Sequence, residues 1–276
     1  MRIKAKTAIS LLGAGFLAIS TMTAAVAADA ERKSIAAPEG HPLDEIISGY
    51  EFRAPETQNL QDDDFENPAY LWVEKGEELW DTADGKAGKA CSSCHEDAAE
   101  TMKTAGAEFP KWNAKQGKPV NLEQQINLCR TDQMQASKWK WESEELLSMT
   151  SFVRSQSRGV PVNVQVDGQM APFFEKGKDL YYKRVGQLDM ACANCHEDNY
   201  GTNIRSDMLS QGQSNGFPTF RLKWQKVGSL HRRFKGCMKN IRATPYKVGS
   251  DEFVNLELYV GYRGKGLPVE APAVRN

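Results

Sequence analysis

Apolar residues recur at three- and four-residue intervals over two stretches, 143–159 and 250–264, and predict an amphipathic helix in each. Ser143 opens the first and Ser250-Asp251 the second, and Gly159 and Gly264 close them, which are ordinary cap signals. Two further helices are predicted around 74–80 and 175–181. There Gly76 with Trp80, and Gly177 with Tyr181, lie four apart on one face. A glycine so placed lets another helix cross closely, and the aromatic fills the crossing. The expected partners are the 143–159 and 250–264 helices, through Phe152 and Tyr259. No run of alternating apolar and polar residues suggests strands, so the expected class is all-α. Residues 29–68 are polar, proline-bearing and weakly periodic, which predicts an extended N-terminal arm with one helical turn around 43–48. Such an arm either lies solvated on the surface or wraps a partner subunit.

These helices belong to an internal repeat. Glu74-Lys75-Gly76-Glu77-Glu78-Leu79-Trp80 matches Glu175-Lys176-Gly177-Lys178-Asp179-Leu180-Tyr181, and Cys91-Ser92-Ser93-Cys94-His95-Glu96-Asp97 matches Cys192-Ala193-Asn194-Cys195-His196-Glu197-Asp198, at a constant offset of 101. Phe109-Pro110 then matches Phe217-Pro218. Leu122 with Cys129 matches Leu230 with Cys237 at an offset of 108, after a seven-residue insertion in the second copy. The expected organisation is an arm at 29–68, one domain at 69–165 and a second at 166–276, with a linker near 161–172.

Residues 1–28 have the pattern of a cleavable targeting segment. Arg2, Lys4 and Lys6 precede an apolar run at 8–19, and Ala25-Val26-Ala27 supplies the cleavage site. The run is too short, and too rich in Ala, Gly and Ser, for a spanning helix. The expectation is an exported, periplasmic chain without a membrane span. A formal net charge of -1 argues against nucleic-acid binding by bulk electrostatics. Six cysteines in an exported chain first suggest three disulfides, but the spacing overrules that count.

C-x-x-C-H is the attachment signature of c-type haem. Two thiols three apart at a helix start can each form a thioether with a haem vinyl, and the next residue presents its imidazole to the iron. One copy could be a redox dithiol; two copies in register could not reasonably be. Two covalently attached haem c groups are therefore expected, on Cys91, Cys94 and His95 and on Cys192, Cys195 and His196. The implied fold is two tandem class I cytochrome c-like domains related by the repeat and preceded by the arm. Small electron-carrier cytochromes usually offer methionine as sixth ligand from the loop before the closing helix. Here the leftover histidines, His41 and His231, are not equivalent in the repeat, and what recurs is cysteine: Cys129 and Cys237. Two readings stay open. The pair could form an interdomain disulfide, or each could place a thiolate on a distal haem face, giving His/Cys ligation and a lowered potential. Met134 and Met238 are fallback ligands.

The copies diverge beside those cysteines. Glu123-Gln124-Gln125-Ile126-Asn127-Leu128-Cys129 becomes His231-Arg232-Arg233-Phe234-Lys235-Gly236-Cys237, with four positions turned cationic. Gly236 replaces Leu128 beside the sulfur and leaves room for a second molecule. A charge run is often only a solvated face. This one is confined to one copy and adjoins a candidate ligand, and a guanidinium fork holds a small dianion well. The second haem is thus the expected reactive site.

The chain resembles the SoxA family, the A subunits of the Sox cytochrome c complexes of sulfur-oxidising bacteria, in its two-haem form. The resemblance covers nearly all of the chain after residue 28: Ser48-Gly49-Tyr50, Asp62-Asp63-Asp64 with Asn67-Pro68, both C-x-x-C-H motifs, and the Arg-x-x-Gly-Cys block at 233–237. It implies an L-cysteine S-thiosulfotransferase that joins thiosulfate to the cysteine of a SoxYZ-type sulfur carrier protein and passes two electrons to haem. A monohaem SoxX-type partner cytochrome, forming a heterodimer, would carry them on. It also implies that Cys237 is the catalytic cysteine, often found as a persulfide, that Arg233 binds substrate, and that iron is ligated by His95 with Cys129 and by His196 with Cys237. The rivals are a thiosulfate dehydrogenase that makes tetrathionate without a carrier, a plain dihaem electron carrier and, more weakly, a dihaem peroxidase. Arg130→Ala, in the first copy, is expected to leave activity nearly unchanged.

Overall fold

The computed structural model describes residues 33–276, so the targeting segment at 1–28 lies outside the described residues. The arm opens with β1 (Ser34–Ala36) and β2 (Glu45–Ile47), an antiparallel pair, and continues into α1 (Pro55–Asp62). The first copy runs through α2 (Tyr70–Asp81), short helices α3 (Ser92–His95), α4 (Ala98–Thr101) and α5 (Ala105–Glu108), the hairpin β3 (Lys111–Asn113) and β4 (Lys118–Val120), then α6 (Leu122–Asp132) and α7 (Glu144–Ser155). The second runs through α8 (Ala171–Tyr182), α9 (Cys192–His196), hairpins β5 (Asn203–Ile204) with β6 (Asp207–Met208) and β7 (Thr219–Arg221) with β8 (Lys226–Gly228), α10 (Leu230–Asn240), α11 (Asp251–Arg263) and β9 (Ala273–Arg275).

The helical frame follows from the glycines. A Cβ on Gly76 would lie 2.5 Å from the Phe152 Cβ and collide with the Ser148 backbone, so α2 and α7 cross at contact distance. A Cβ on Gly177 would collide with the Asn255 carbonyl and lie 3.1 Å from the Tyr259 Cβ, which repeats the crossing between α8 and α11. Trp80 and Tyr181 fill the two crossings, 5.6 Å from Phe152 and 5.2 Å from Tyr259 between ring centroids. Ser143 and Ser250 cap α7 and α11 as expected. The first closing helix stops at Ser155, short of Gly159, because residues 156–159 turn toward the C-terminal segment and the Gly159 amide donates to the Val269 carbonyl.

The structure is not all-α. Nine strands of two or three residues form four small sheets among the described residues. They pair locally, except that β7 takes β9 as a parallel neighbour from the C-terminus. Strands this short carry no readable alternation, which is why the pattern missed them. The segment at 161–172 is no free linker either. Val162 and Val164 are buried, and Val162 exchanges backbone hydrogen bonds of 2.8 Å with Leu267 and Gly266.

The arm is built into its own chain. Where a helical turn was expected, residues 45–47 are extended, and Ile46, Ile47 and Ser48 are buried. The Gln211 carboxamide accepts from the Ile47 amide at 2.8 Å and donates to the Glu45 carbonyl at 2.9 Å. Ser48 donates to Glu270 at 2.6 Å, and Asp64 of the acidic run pairs with Arg158 at 2.5 Å. These partners lie far along the chain, so nothing local announced them. Among the described residues no helix is long and apolar enough to cross a membrane.

Two equivalent pairs, Phe109 with Phe217 and Leu122 with Leu230, line a cavity of about 30 Å³ between the copies, together with Glu123, Arg154 and Glu257. That is room for an ordered water. Burial, and then the neighbouring Glu257 carboxylate, pushes Glu123 up to about 8. A carboxyl raised on folding contributes stability that is fully present below its unfolded value, near 4.5, and lost as pH rises through the folded value. Glu123→Gln removes that loss. Thermal unfolding should show no gap between variant and parent near pH 4 and a gap of roughly 5 °C, about 2 kcal/mol, by pH 9.

Candidate functional site

Each C-x-x-C-H motif lies on a short helix that follows the opening helix of its copy. In the first copy the Trp80 indole, 5.8 Å from the His95 ring, donates to the Glu96 carbonyl at 3.0 Å. In the second, Arg263 is almost wholly buried, stacks on Tyr181 at 4.5 Å and pairs with Glu197, which also accepts from the Tyr182 hydroxyl at 2.7 Å. The residue after each histidine is thereby fixed by the helix crossing behind it.

His196 is held more tightly. Its Nδ1 lies 2.7 Å from the Ser210 carbonyl, so that nitrogen carries the proton and donates, leaving Nε2 as the electron-pair donor. Gly212, at φ +77°, backs the ring so closely that a Cβ would stand 2.9 Å from it. A cradle that admits only glycine and fixes the tautomer is what an imidazole metal ligand requires. Ser210 and Gly212 were not found from the sequence; they lie in the stretch lengthened by the seven-residue insertion.

Opposite these helices stand α6 and α10. Asn121 caps α6 by accepting from the Gln124 amide at 3.0 Å, and Ser229 caps α10 by accepting from the Arg232 amide at 3.1 Å. Each helix carries its cysteine on its third turn. All six thiols are unpaired, so Cys129 and Cys237 are not joined to each other. Burial pushes Cys91 up to about 11, and the nearby Cys129 adds to it. Burial pushes Cys192 up to about 12, with Cys237 beside it. In both copies the isolated cysteine thus faces its own C-x-x-C-H motif. Met134 and Met238 are packed into apolar surroundings, Met134 buried and Met238 against the cluster around Tyr181 and Phe253.

One turn before each sulfur stands a polar side chain on the same helix face. In the first copy Gln125 Nε2 donates to Cys129 Sγ at 3.3 Å. In the second the equivalent residue is Arg233, four residues before Cys237 on the same face of α10. Burial opposes ionisation of the Cys237 thiol, whereas the Arg233 guanidinium and, behind it, Arg221 favour the thiolate.

The other cationic substitutions do different work. His231 is buried, 3.0 Å from Glu257, stacked on Trp141 at 5.0 Å, and its Nδ1 accepts from the Gly249 amide. Arg232 lies over Trp224 at 4.3 Å and 3.6 Å from Glu142. Both belong to the packing between α10 and its neighbours, which leaves Arg233 and Lys235 as the charges available at the site. Beside the sulfur, the position a Cβ would take on Gly236 meets nothing within 4 Å, so the approach is open as expected.

Arg130 has a structural role that its sequence position did not announce. It is buried, pairs with Asp84 at 2.6 Å, donates to the Ser137 carbonyl at 3.1 Å and stacks over Trp139 at 3.6 Å. Arg130→Ala is therefore expected to lower stability by roughly 2 kcal/mol, the scale of a lost hydrogen bond to a charged group. Thermal unfolding checks this, and a shift under 2 °C would contradict it.

The residues fit haem c. Both copies bring a thiol pair, an imidazole and an opposed cysteine sulfur together within an apolar frame, and the His196 cradle serves no evident purpose without a metal on Nε2. Among solved structures, the crystal structure of SoxXA from P. pantotrophus matches with a TM-score of 0.82 and 46% identity, over 85% of this chain and 89% of that one. The L-cysteine S-thiosulfotransferase subunit SoxA of Pseudaminobacter salicylatoxidans is 52% identical over 87% of this chain and 85% of its own length. The subunit of the same name from Rhodovulum sulfidophilum is 47% identical over 85% and 82%. The family model for the SoxA/TsdA cytochrome c domain matches twice, at 75–162 and 176–269, once in each copy of the repeat. By its paired C-x-x-C-H helices, its fold and these matches, the chain belongs to the SoxA/TsdA cytochrome c family.

Proposed function

We propose that this chain is a thiosulfate-oxidising haem subunit, an L-cysteine S-thiosulfotransferase that couples thiosulfate to a carrier protein's cysteine. Two relatives that carry that name are 52% and 47% identical over more than four fifths of their lengths. In this reading haem c is bound twice, at 69–165 and 166–276, with His95 and Cys129 on one iron and His196 and Cys237 on the other. The observation that carries the function is the asymmetry at the sulfurs. One copy sets a neutral Gln125 on Cys129, and the other sets Arg233 near an open, thiolate-prone Cys237.

The overall change joins a carrier thiol and thiosulfate, R–SH + S₂O₃²⁻ → R–S–S–SO₃⁻ + H⁺ + 2e⁻. The haem supplies the electron acceptor when bound. Cys237 is the sulfur through which the new bond is exchanged, as in thiol–disulfide exchange. Arg233 neutralises the sulfonate oxygens while that bond forms, with Lys235 in support. Gly236 admits the carrier's cysteine arm. A monohaem cytochrome of the SoxX type is the proposed electron-accepting partner, by analogy with the solved SoxXA of P. pantotrophus, and the setting is the periplasm. Reconstituted turnover tests the reading. Thiosulfate oxidation should require the carrier thiol, whereas equal turnover without it would mean tetrathionate formation.

A further inference from the structure

We propose that Arg53 of the arm and Arg221 of β7 join Arg233 in a three-guanidinium subsite that holds the sulfonate end of the substrate dianion. This deepens the reading of Cys237 as the thiosulfate-reacting sulfur, and rests on it for the identity of the ligand.

The three arginines come from positions 53, 221 and 233, and the fold draws them to one place. Gly49, which precedes Arg53 in the arm, lies against Ser210, whose carbonyl orients His196; a Cβ on Gly49 would stand 3.8 Å from the Ser210 hydroxyl. Phe52 meets Tyr200 edge-on at 6.2 Å. Arg53 then donates through Nη2 to the Met208 carbonyl at 2.5 Å, while its Nε is buried with no hydrogen-bond partner in the protein. Arg221 is buried too. Its Nε donates to the Asn276 carbonyl at 2.7 Å, and its Nη2 lies 3.9 Å from Asp207. Asp207 and Met208 are the two residues of β6, so one strand pins both guanidinium groups. That strand belongs to the stretch lengthened in the second copy alone.

The charge balance favours an anion. Asp207 is the one carboxylate that ion-pairs in this group, and Lys223 already holds it at 2.8 Å. Arg233 has no carboxylate within ion-pairing distance among the described residues. Arg53, Arg221, Lys223 and Arg233 therefore share one side-chain counter-charge, Asp207, with the terminal oxygen of Asn276 on Arg221 beside it. Burial lowers Arg53 and Arg221 to about 10 each, and the neighbouring guanidinium groups, Arg233 among them, add to it. Arg233 stands one helical turn before Cys237 on the same face of α10. A sulfonate has three oxygens on one side of the dianion and pairs with forked donors. With its sulfonate among these forks, thiosulfate would present its outer sulfur toward Cys237. The first copy has no equivalent insertion and carries Gln125 where Arg233 stands, so it has no such subsite.

The test uses the haem-loaded full-length protein. Its thermal midpoint is measured in sodium sulfate, an unreactive dianion, against sodium chloride at matched ionic strength. KM and kcat for thiosulfate are measured with the carrier present. The parent protein should be stabilised by sulfate over chloride. Arg53→Gln and Arg221→Gln should each lose at least half of that stabilisation and raise KM about tenfold, with kcat within about threefold, the pattern of lost ground-state binding. Arg53→Lys should recover part of both. If Arg221→Gln does not fold, the two Arg53 variants decide, since Arg53 has a single hydrogen bond to lose. Parent-like sulfate stabilisation and KM in Arg53→Gln would overturn the subsite. Lost stabilisation with unchanged KM would overturn its assignment to the substrate. A parent protein that fails to oxidise thiosulfate with the carrier defeats the proposed function instead, and the sulfate arm still decides whether the anion site exists.

Discussion

Cys237→Met is expected to abolish carrier-dependent thiosulfate oxidation while leaving a folded protein with the parent's haem content. The substitution separates two roles that one sulfur would otherwise combine. A methionine thioether can still face His196 across the site, and methionine is the usual residue at this position in small cytochromes. It cannot form or exchange a sulfur–sulfur bond, because its sulfur already carries two carbons. A plain electron carrier would tolerate the change, so the comparison is decisive. Haem content per chain should match the parent's and the absorption spectrum should stay low-spin, with turnover below roughly one part in a thousand. Arg233→Ala should retain the spectrum as well and lose about a hundredfold or more in kcat/KM, the scale of removing one fixed charge-stabilising donor. Retention of more than a tenth of parent activity in Cys237→Met would defeat the mechanism. The equivalent substitution of Cys129 should leave sulfur transfer far less affected, since Gln125 rather than a cation stands one turn before it.

The parts of the site legible in the sequence are those with fixed spacing. C-x-x-C-H imposes its own spacing on any chain that carries it. Gly76 and Trp80, with Gly177 and Tyr181, are set four apart by the pitch of the helix they occupy. Alignment of the copies then exposed Cys129 and Cys237 as equivalents, and Arg233 as a substitution beside one of them. The same alignment could not say which charges are solvated. His231 and Arg232 look like members of one cationic run, and only the positions of Glu257, Trp141, Trp224 and Glu142 show that packing uses them. Arg53 and Arg221 escaped for a related reason. Each is an isolated arginine in a stretch without periodicity, and its meaning lies in a strand about 155 residues from the first and 13 from the second. The seven-residue insertion was the one sequence feature that pointed to this region. The arm was misjudged because its strand pairs with a segment that has equally little pattern, and because Gln211 holds both edges of it from across the chain.

Gly177→Ala should be the most destabilising single methyl group that can be added to the helical frame. In an open helix the change is favourable by about 1 kcal/mol, since alanine orders more cheaply than glycine. At Gly177 the new Cβ would occupy the space of the Asn255 carbonyl, which is backbone and cannot rotate aside. Relief requires α8 and α11 to move apart. Phe253, Leu258 and Tyr259 of α11 are buried, and Glu257 holds His231 of α10, so the displacement reaches the helix that carries Cys237. Overpacking that cannot relax by a side-chain rotation costs about 3 kcal/mol or more. For a chain of this length that is a fall of roughly 10 °C in Tm. Gly236 supplies the control. It is also helical, with nothing within 4 Å of the position its Cβ would take, and Gly236→Ala should raise Tm by roughly 2–4 °C. One substitution made at two helical glycines should thus move stability in opposite directions. If both variants shift the same way, the close crossing of α8 over α11 is not what fixes the second copy, and the placement of Cys237 must come from the loops instead.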